Sequence, residues 1–397
     1  MSSTTQSFII SACRTPIGKF LGSLAPLTAP DLGAVAIREG VKRSGVNPTD
    51  IDEVIIGHVV QAGAGQATGR QAMIKAGLPA NVPAVTINKV CGSGLKAVML
   101  AAQSIRAGDN EVVVAGGMES MSNTPFVLHG ARDGLKFGQK KLDDAMILDG
   151  LWDPFHQWHM GSAAEYTAEK AMVNRERQDE FSFNSHKRAL AAIAGGKFAH
   201  EIVAVSVAQG KGEPLMIGVD ECPRADISLA GLAKLRPAFV KEGGTVTAGN
   251  APGLNDGAAA CVVVSEAYLN KHKLTPLARI VEYATAAVEP KELFFAPIYA
   301  VQNLMAKMGV TIEHFDLIEA NEAFAVQALA DGDALGWDWA RVNVHGGAVA
   351  LGHPIGASGT RVLATLIYAL RDRKKKTGLA TLCLGGGSAV AMAIEVM

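Results

Sequence analysis

A strand, a loop of small residues, a helix, a second strand and a run of glycines follow one another twice in this chain. The first copy is AVTI (84–87), NKVCGSG (88–94), a helical stretch to residue 107, EVVVA (111–115) and the pair Gly116-Gly117. The second is VNV (342–344), HGGAVALGHPIGASG (345–359), a helical stretch over 360–371, LATLCL (379–384) and Gly385-Gly386-Gly387. Neither unit can cover both faces of its own sheet, so two similar α/β halves are expected to pack together. Their loops would meet at the seam, and chemistry is expected there.

The rest of the chain fits that class. Apolar runs rich in Val and Ile alternate with helix-length stretches, the pattern of βαβ units with buried strands. Strands are predicted over 8–12, 54–60, 84–87, 111–115, 258–264, 278–283, 317–319, 342–344 and 379–384. In the helix predicted over 94–107, Leu95, Val98, Met99, Ala102 and Ile105 share one face, with Ser93 as N-cap and Gly108 as stop. At 397 residues, with about 150 residues per domain, two or three units are expected. The division is an N-terminal half (1–121 and 251–271), an inserted segment (122–250) and a C-terminal half (272–397). The insert is richer in charge and in Met, Trp and His, carries few strand signals, and is predicted to be helix and loop.

Charge and cysteine usage narrow the function. The formal net charge is -1, so no global field draws nucleic acid or an anionic membrane, and an anionic ligand must be held locally. No run approaches the roughly 18 apolar residues of a membrane span. The opening MSSTTQS lacks the basic and apolar regions of a secretory signal, and a cytoplasmic protein is expected. The five cysteines, Cys13, Cys91, Cys222, Cys261 and Cys383, show neither CxxC pairs nor zinc-type spacing, so neither a disulfide framework nor a structural metal is expected. The stretch GAGQATG (63–69) has the wrong spacing for a dinucleotide turn, and no GxxxxGK signature occurs, which disfavours NAD and ATP.

Three loops carry the candidate chemistry. Cys91 stands between a strand and a helix, where unpaired N–H groups and the helix dipole are expected to favour its thiolate. Gly92, Ser93 and Gly94 leave room for a substrate there, although a lone cysteine is more often a buried apolar residue. His353, flanked by Gly352, Pro354 and Gly356, offers an imidazole able to take a thiol proton at neutral pH, or else a turn histidine bonded to nearby backbone. Cys383 ends the last strong strand, directly before the glycine run. Asn321, in NEAF after the strand FDLIE, can position a water or cap a helix. His156 and His159 are spaced for a shared metal, but no third ligand is near in sequence, and metal is disfavoured.

Taken in order, IISACRTPIGKF, NKVCGSGLKAV, VAGGMESMS, WHMG, KLRPAF, TVTAGN, NDGAAA, IEANEAFA, GHPIGASG and CLGGG resemble the thiolase family, specifically its biosynthetic acetoacetyl-CoA type. The resemblance runs over nearly the whole chain. It implies a duplicated thiolase fold, two α/β halves layered α/β/α/β/α with an inserted loop domain, and a homotetramer built from two dimers. It implies acetyl-CoA C-acetyltransferase activity, the reversible condensation of two acetyl-CoA, with CoA thioesters as substrates and no permanently bound cofactor.

Residue by residue, Cys91 resembles the acylated nucleophile and His353 its activating base. Cys383 resembles the second cysteine, which moves the α-proton. Asn321 with His353 resembles the enolate hole, and the N–H groups of Cys91 and Gly385 the hole for the tetrahedral oxygen. His159, Met160, Leu293, Ala323 and Phe324 resemble acyl-pocket residues. Arg224 resembles an arginine near the CoA adenine, and Ala248 and Pro252 lie where the family lines the pantetheine channel.

Two departures test the resemblance. Pro252 replaces the family's usual Ser, and Leu293-Phe294-Phe295-Ala296 stands where the family usually reads MGTG. One of the two rings is expected to narrow the acyl pocket. The alternatives are a broad-range 3-ketoacyl-CoA thiolase, a decarboxylating ketosynthase, against which Cys383 argues, and a non-catalytic CoA- or lipid-binding relative, which would be expected to lack one of these residues.

Overall fold

The computed structural model describes residues 5–397. Nine strands, among the described residues, form the body of one mixed sheet: β1 (Ser7–Arg14), β2 (Glu53–Gly57), β3 (Ala84–Ile87), β4 (Val112–Ser120), β5 (Asn255–Ser265), β6 (Ala278–Ala287), β7 (Leu317–Ala320), β8 (Thr377–Leu384) and β9 (Ser388–Val396). They lie in the order β3-β2-β4-β5-β1-β6-β9-β8-β7. Read outward from the centre, β1-β5-β4-β2-β3 is answered by β6-β9-β8-β7 and then Val342, which makes a single parallel bridge to Ile318. The duplication seen in the sequence is therefore a pseudo-twofold arrangement. The halves join where residues 7–9 of β1 pair antiparallel with residues 278–280 of β6.

The longer helices are α1 (Ala29–Ser44), α2 (Thr68–Ala76), α3 (Ser93–Ala107), α4 (Met160–Lys170), α5 (Arg175–Ala194), α6 (Ala296–Met308), α7 (Ala325–Leu335) and α8 (Ser358–Asp372). α1 and α2 pack on one outer face, α6 on the other with α7 against it, and α3 and α8 pack against each other between the two halves of the sheet. The five α/β/α/β/α layers thus run through both halves together. Leu95, Val98, Met99, Ala102 and Ile105 all enter the central core, where they meet Val362, Leu366 and Ile367 of α8. That face is fully buried, as the 3.6-residue period requires.

Some local expectations change. The strand predicted over 342–344 shrinks to the bridge at Val342 because Asn343 turns to φ 46° and its side chain bonds both the N–H and C=O of Ala320. β9 escaped prediction; its Ala-rich sequence has weak strand propensity and is held by pairing with β6 and β8. Gly92 rather than Ser93 occupies the N-cap of α3, and the Ser93 hydroxyl instead donates to the Val90 carbonyl. Gly108 ends α3 in the left-handed conformation, φ 84°. Between β4 and β5 the chain carries α4, α5, a short helix and three small two-stranded ribbons. Among the described residues no helix is long and apolar enough to cross a membrane.

Candidate active site

Cys91 lies at the start of α3 and His353 just before α8, so the two helices that cross at the centre of the molecule carry them to one place. Cys383 arrives from the end of β8. All three line a cavity of about 370 Å³, together with Gly385, His159, Met160 and Ala248. Pro252, Leu293, Ala323 and Phe324 border the same space. Asn321 is fully buried behind it, with Nδ2 3.5 Å from His353 Nε2 and Oδ1 unpartnered. It caps no helix, since Phe324 holds the N-cap of α7. Arg224 stays outside the cavity; it is exposed, and its Nη2 lies 3.3 Å from the carbonyl of Ala248.

Each functional atom is aimed by backbone that only tertiary packing can hold. Val90 precedes Cys91 at φ 46°, a left-handed conformation that costs a β-branched residue about 1–3 kcal/mol. Gly352 precedes His353 at φ 105°, where a Cβ would come within 2.6 Å of the Asn255 side chain. The Asn255 Oδ1 accepts the His353 N–H at 2.8 Å, while its Nδ2 donates to the Gly18 carbonyl. Ser358 fixes the ring. Its hydroxyl donates to the Pro354 carbonyl at 2.9 Å, so at 2.6 Å the His353 Nδ1–H must donate to Ser358 Oγ. Nε2 is then the basic nitrogen, on the side of Asn321.

The expected depression of the Cys91 thiol is corrected by this environment. Burial pushes it up to about 12, against the N–H groups of Gly385 and of Cys91 itself, which pull it down. Burial, with the Arg361 charge behind it, lowers His353 to about 3. Burial, reinforced by a charge on Cys91, raises Cys383 well above the ordinary thiol range. Both shifts favour the neutral forms, thiol and imidazole, in the resting site at pH 7.

The two histidines weighed for a metal turn to other partners. His156 Nδ1 contacts the Asp153 carboxylate at 2.9 Å, and His159 Nδ1 accepts the Gly161 N–H at 3.0 Å. Among the described residues no group of three or more His, Cys, Asp or Glu is placed to hold a metal. His159 stacks on Phe239 at 4.9 Å between ring centres. Phe239, Asn255 and Ser358 were not singled out in the sequence. All three lie inside quoted motifs, Phe239 at the end of KLRPAF, Asn255 at the start of NDGAAA and Ser358 in GHPIGASG, a signal that would have pointed to them.

A duplicated α/β fold whose two halves bring two thiols and an imidazole into one apolar cavity defines a class of thiol-dependent acyl-transfer proteins. Residues 7–267 match the family model for the thiolase N-terminal domain, and 274–396 that for the thiolase C-terminal domain. An acetyl-CoA acetyltransferase of Pseudomonas aeruginosa is 55% identical over 97% of this chain and 98% of its own length. One from Cupriavidus necator is 54% identical over 98% and 99%. The crystal structure of the Bacillus anthracis acetyl-CoA acetyltransferase superposes with a TM-score of 0.97 at 42% identity, covering 100% of both chains. The chain belongs to the thiolase family.

Proposed function

We propose that this protein is an acetyl-CoA C-acetyltransferase that joins two acetyl-CoA into acetoacetyl-CoA and CoA, or cleaves acetoacetyl-CoA in reverse. The observation that carries this reading is the meeting of Cys91, His353 and Cys383 in one cavity; the acetyltransferase names of relatives at 54–55% identity support it. The Cys91 thiol gives its proton to His353 Nε2 as its sulfur attacks the thioester carbonyl. The N–H groups of Cys91 and Gly385 hold the oxyanion. CoA leaves as a thiol with that proton, and acetyl-Cys91 remains.

Acylation also prepares the second step. A charge on Cys91 opposes ionisation of Cys383, and an acetylated sulfur can carry none. Cys383 passes its thiol proton to His353 Nε2 and, as a thiolate, takes an α-proton from the second acetyl-CoA. The Asn321 amide and the His353 Nε2–H now present donate to the enolate oxygen. The enolate carbon attacks acetyl-Cys91, and the departing Cys91 thiolate takes back the proton held on His353 Nε2, while Cys383 keeps the α-proton as its thiol. CoA is bound without a side-chain hydroxyl or backbone donor at Pro252, and Arg224 is the arginine that lies near its adenine.

The reading includes residues 122–250 as an inserted loop domain between the halves 1–121 with 251–271 and 272–397. It includes a cytoplasmic setting, in keeping with five free thiols, and a homotetramer. The side chains of Phe126, Leu135, Phe137 and Leu142 stand 59–108% exposed on one segment, an apolar surface a partner would cover. Mass spectrometry after exposure to acetyl-CoA tests the chemistry. Cys383→Ala is expected to retain the acetyl group on Cys91 yet fail to form acetoacetyl-CoA, and Cys91→Ala is expected to retain none. Label on Cys383 in the Cys91→Ala protein would overturn the assignment.

A further inference from the structure

The segment Pro290–Phe295 connects β6 to α6 and presents its two aromatic rings to opposite sides. Phe294 is 2% exposed and lines the cavity that holds Cys91 and Cys383. Its ring meets that of Phe324 edge-on, with centres 5.4 Å apart and planes at 67°. Phe294, Phe324, Leu293, Ala323 and Cys383 belong to one packed cluster, so this pair walls the space next to the second thiol. Phe295 faces outward instead, and Lys170 Nζ sits over it at 5.3 Å. Of the two neighbouring rings, Phe294 is the one able to limit the cavity.

The wall is held from outside the cavity. Glu292, two residues before Phe294, accepts the Tyr166 hydroxyl at 2.5 Å and the Lys170 ammonium at 2.6 Å. Burial alone would raise the Glu292 carboxyl, but bonds from Lys170 and Tyr166 hold it below its ordinary value, so the clamp is an ionised one. Tyr166 and Lys170 both lie on α4, whose first residue, Met160, and N-cap, His159, line the same cavity. Just before the segment, the Val288 N–H donates to the Gly387 carbonyl at 2.7 Å, two residues beyond Gly385. Both anchors precede Phe294 and are made to elements that also supply lining residues, α4 with Met160 and the loop after β8 with Gly385. The wall therefore has little freedom to yield to a longer acyl chain.

We propose that Phe294 is the residue that limits the acyl chain to the acetyl and acetoacetyl size, and that Glu292, clamped by Tyr166 and Lys170, is the positioning residue that keeps Phe294 in place. The inference rests on the thiolase activity proposed above. A packed wall discriminates by about tenfold or more per added methylene. A wall free to swing would not.

The test is thiolytic kcat/KM on acetoacetyl-CoA and 3-ketohexanoyl-CoA for wild type, Phe294→Ala and Tyr166→Phe. Wild type is expected to favour acetoacetyl-CoA by more than about tenfold. Phe294→Ala is expected to raise the 3-ketohexanoyl to acetoacetyl ratio by about tenfold, and Phe294→Leu by less, which serves if the alanine variant does not fold. Tyr166→Phe, outside the cavity, is expected to raise the same ratio about threefold through KM for the longer substrate while leaving kcat on acetoacetyl-CoA unchanged. That split is one a general loss of structure would not give. A wild type that cleaves both substrates equally well, or a ratio unmoved in the Phe294 variants, overturns the wall; a ratio unmoved in Tyr166→Phe overturns the clamp. In each case the activity reading stands. Absence of any acetoacetyl-CoA cleavage by wild type would instead remove that reading and this inference with it.

Discussion

Gly359 of α8 lies so close to Leu95 of α3 that a Cβ on the glycine would stand 2.2 Å from the Leu95 backbone nitrogen. The reciprocal position, Gly94, would place its Cβ 2.8 Å from the Thr360 nitrogen. The two central helices therefore cross backbone to backbone, and the crossing is what brings the loops of Cys91 and His353 together. Because the obstructing atoms are main chain, no rotamer can relieve an added methyl. Gly359→Ala is expected to cost about 1–3 kcal/mol of stability and to lower kcat more than it raises KM. Thermal unfolding and steady-state thiolysis on the same preparation check both.

Ser358 is expected to act through His353. Its hydroxyl receives the Nδ1 proton and so leaves Nε2 free to accept the thiol proton. When His353 becomes imidazolium, that bond becomes a charged one, of the kind that contributes about 1.5–3 kcal/mol. Ser358→Ala should therefore lower kcat by about tenfold or more with KM and melting temperature nearly unchanged, whereas Ser358→Thr should retain most of the activity. Equal rates for Ser358→Ala and wild type would mean that the ring is oriented by packing alone.

The thiol chemistry makes a prediction about pH. With Cys91 raised to about 12 and His353 lowered to about 3, the free enzyme at pH 7 is on the protonated side of the thiol and the deprotonated side of the imidazole. The thiolate fraction then rises about tenfold per pH unit from pH 7 to 10. Alkylation of Cys91 by iodoacetamide, followed by mass spectrometry of its peptide, should rise with that slope. A rate already on its plateau at pH 7 would show a preformed thiolate–imidazolium pair.

Much of the fold and of the site is legible in the sequence. The period of the helix at 94–107 gave its buried face, and glycines around Cys91, His353 and Cys383 marked loops that must leave room for something. What could not be read depends on contacts between distant segments. Val90 is β-branched and gives no sign of a positive φ; its conformation is forced by the packing around it. Asn255 is 98 residues from His353 in sequence, yet it fixes the peptide before the imidazole. The upward shift of Cys91 needs the whole cavity wall, because burial rather than the adjacent helix terminus decides the sign. Of the two neighbouring phenylalanines, sequence alone could not say which faces the site.

Arg14 shows how the segment between β4 and β5 is fastened to the sheet. Its guanidinium is fully buried, with Nε 2.6 Å from Glu201 Oε1 and Nη1 and Nη2 at 2.7 and 2.9 Å from the two oxygens of Asp220. Phe198 lies beneath it, 5.0 Å from ring centre to guanidinium carbon. Both acids come from that intervening segment, and Asp220 also accepts the Ile17 N–H, so one arginine on β1 latches two separate turns of it. Removing the cation would strand two buried carboxylates, a defect that typically costs about 3–5 kcal/mol. Arg14→Met is therefore expected to lower the unfolding free energy by that amount in urea titrations. Arg14→Lys should recover only part of it, since an ammonium cannot match the two oxygens of Asp220 while reaching Glu201. The decisive comparison is the triple variant Arg14→Met, Glu201→Gln, Asp220→Asn, which leaves no unpaired charge. It should be more stable than Arg14→Met alone, and if it is less stable, the latch works through packing on Phe198 rather than through charge.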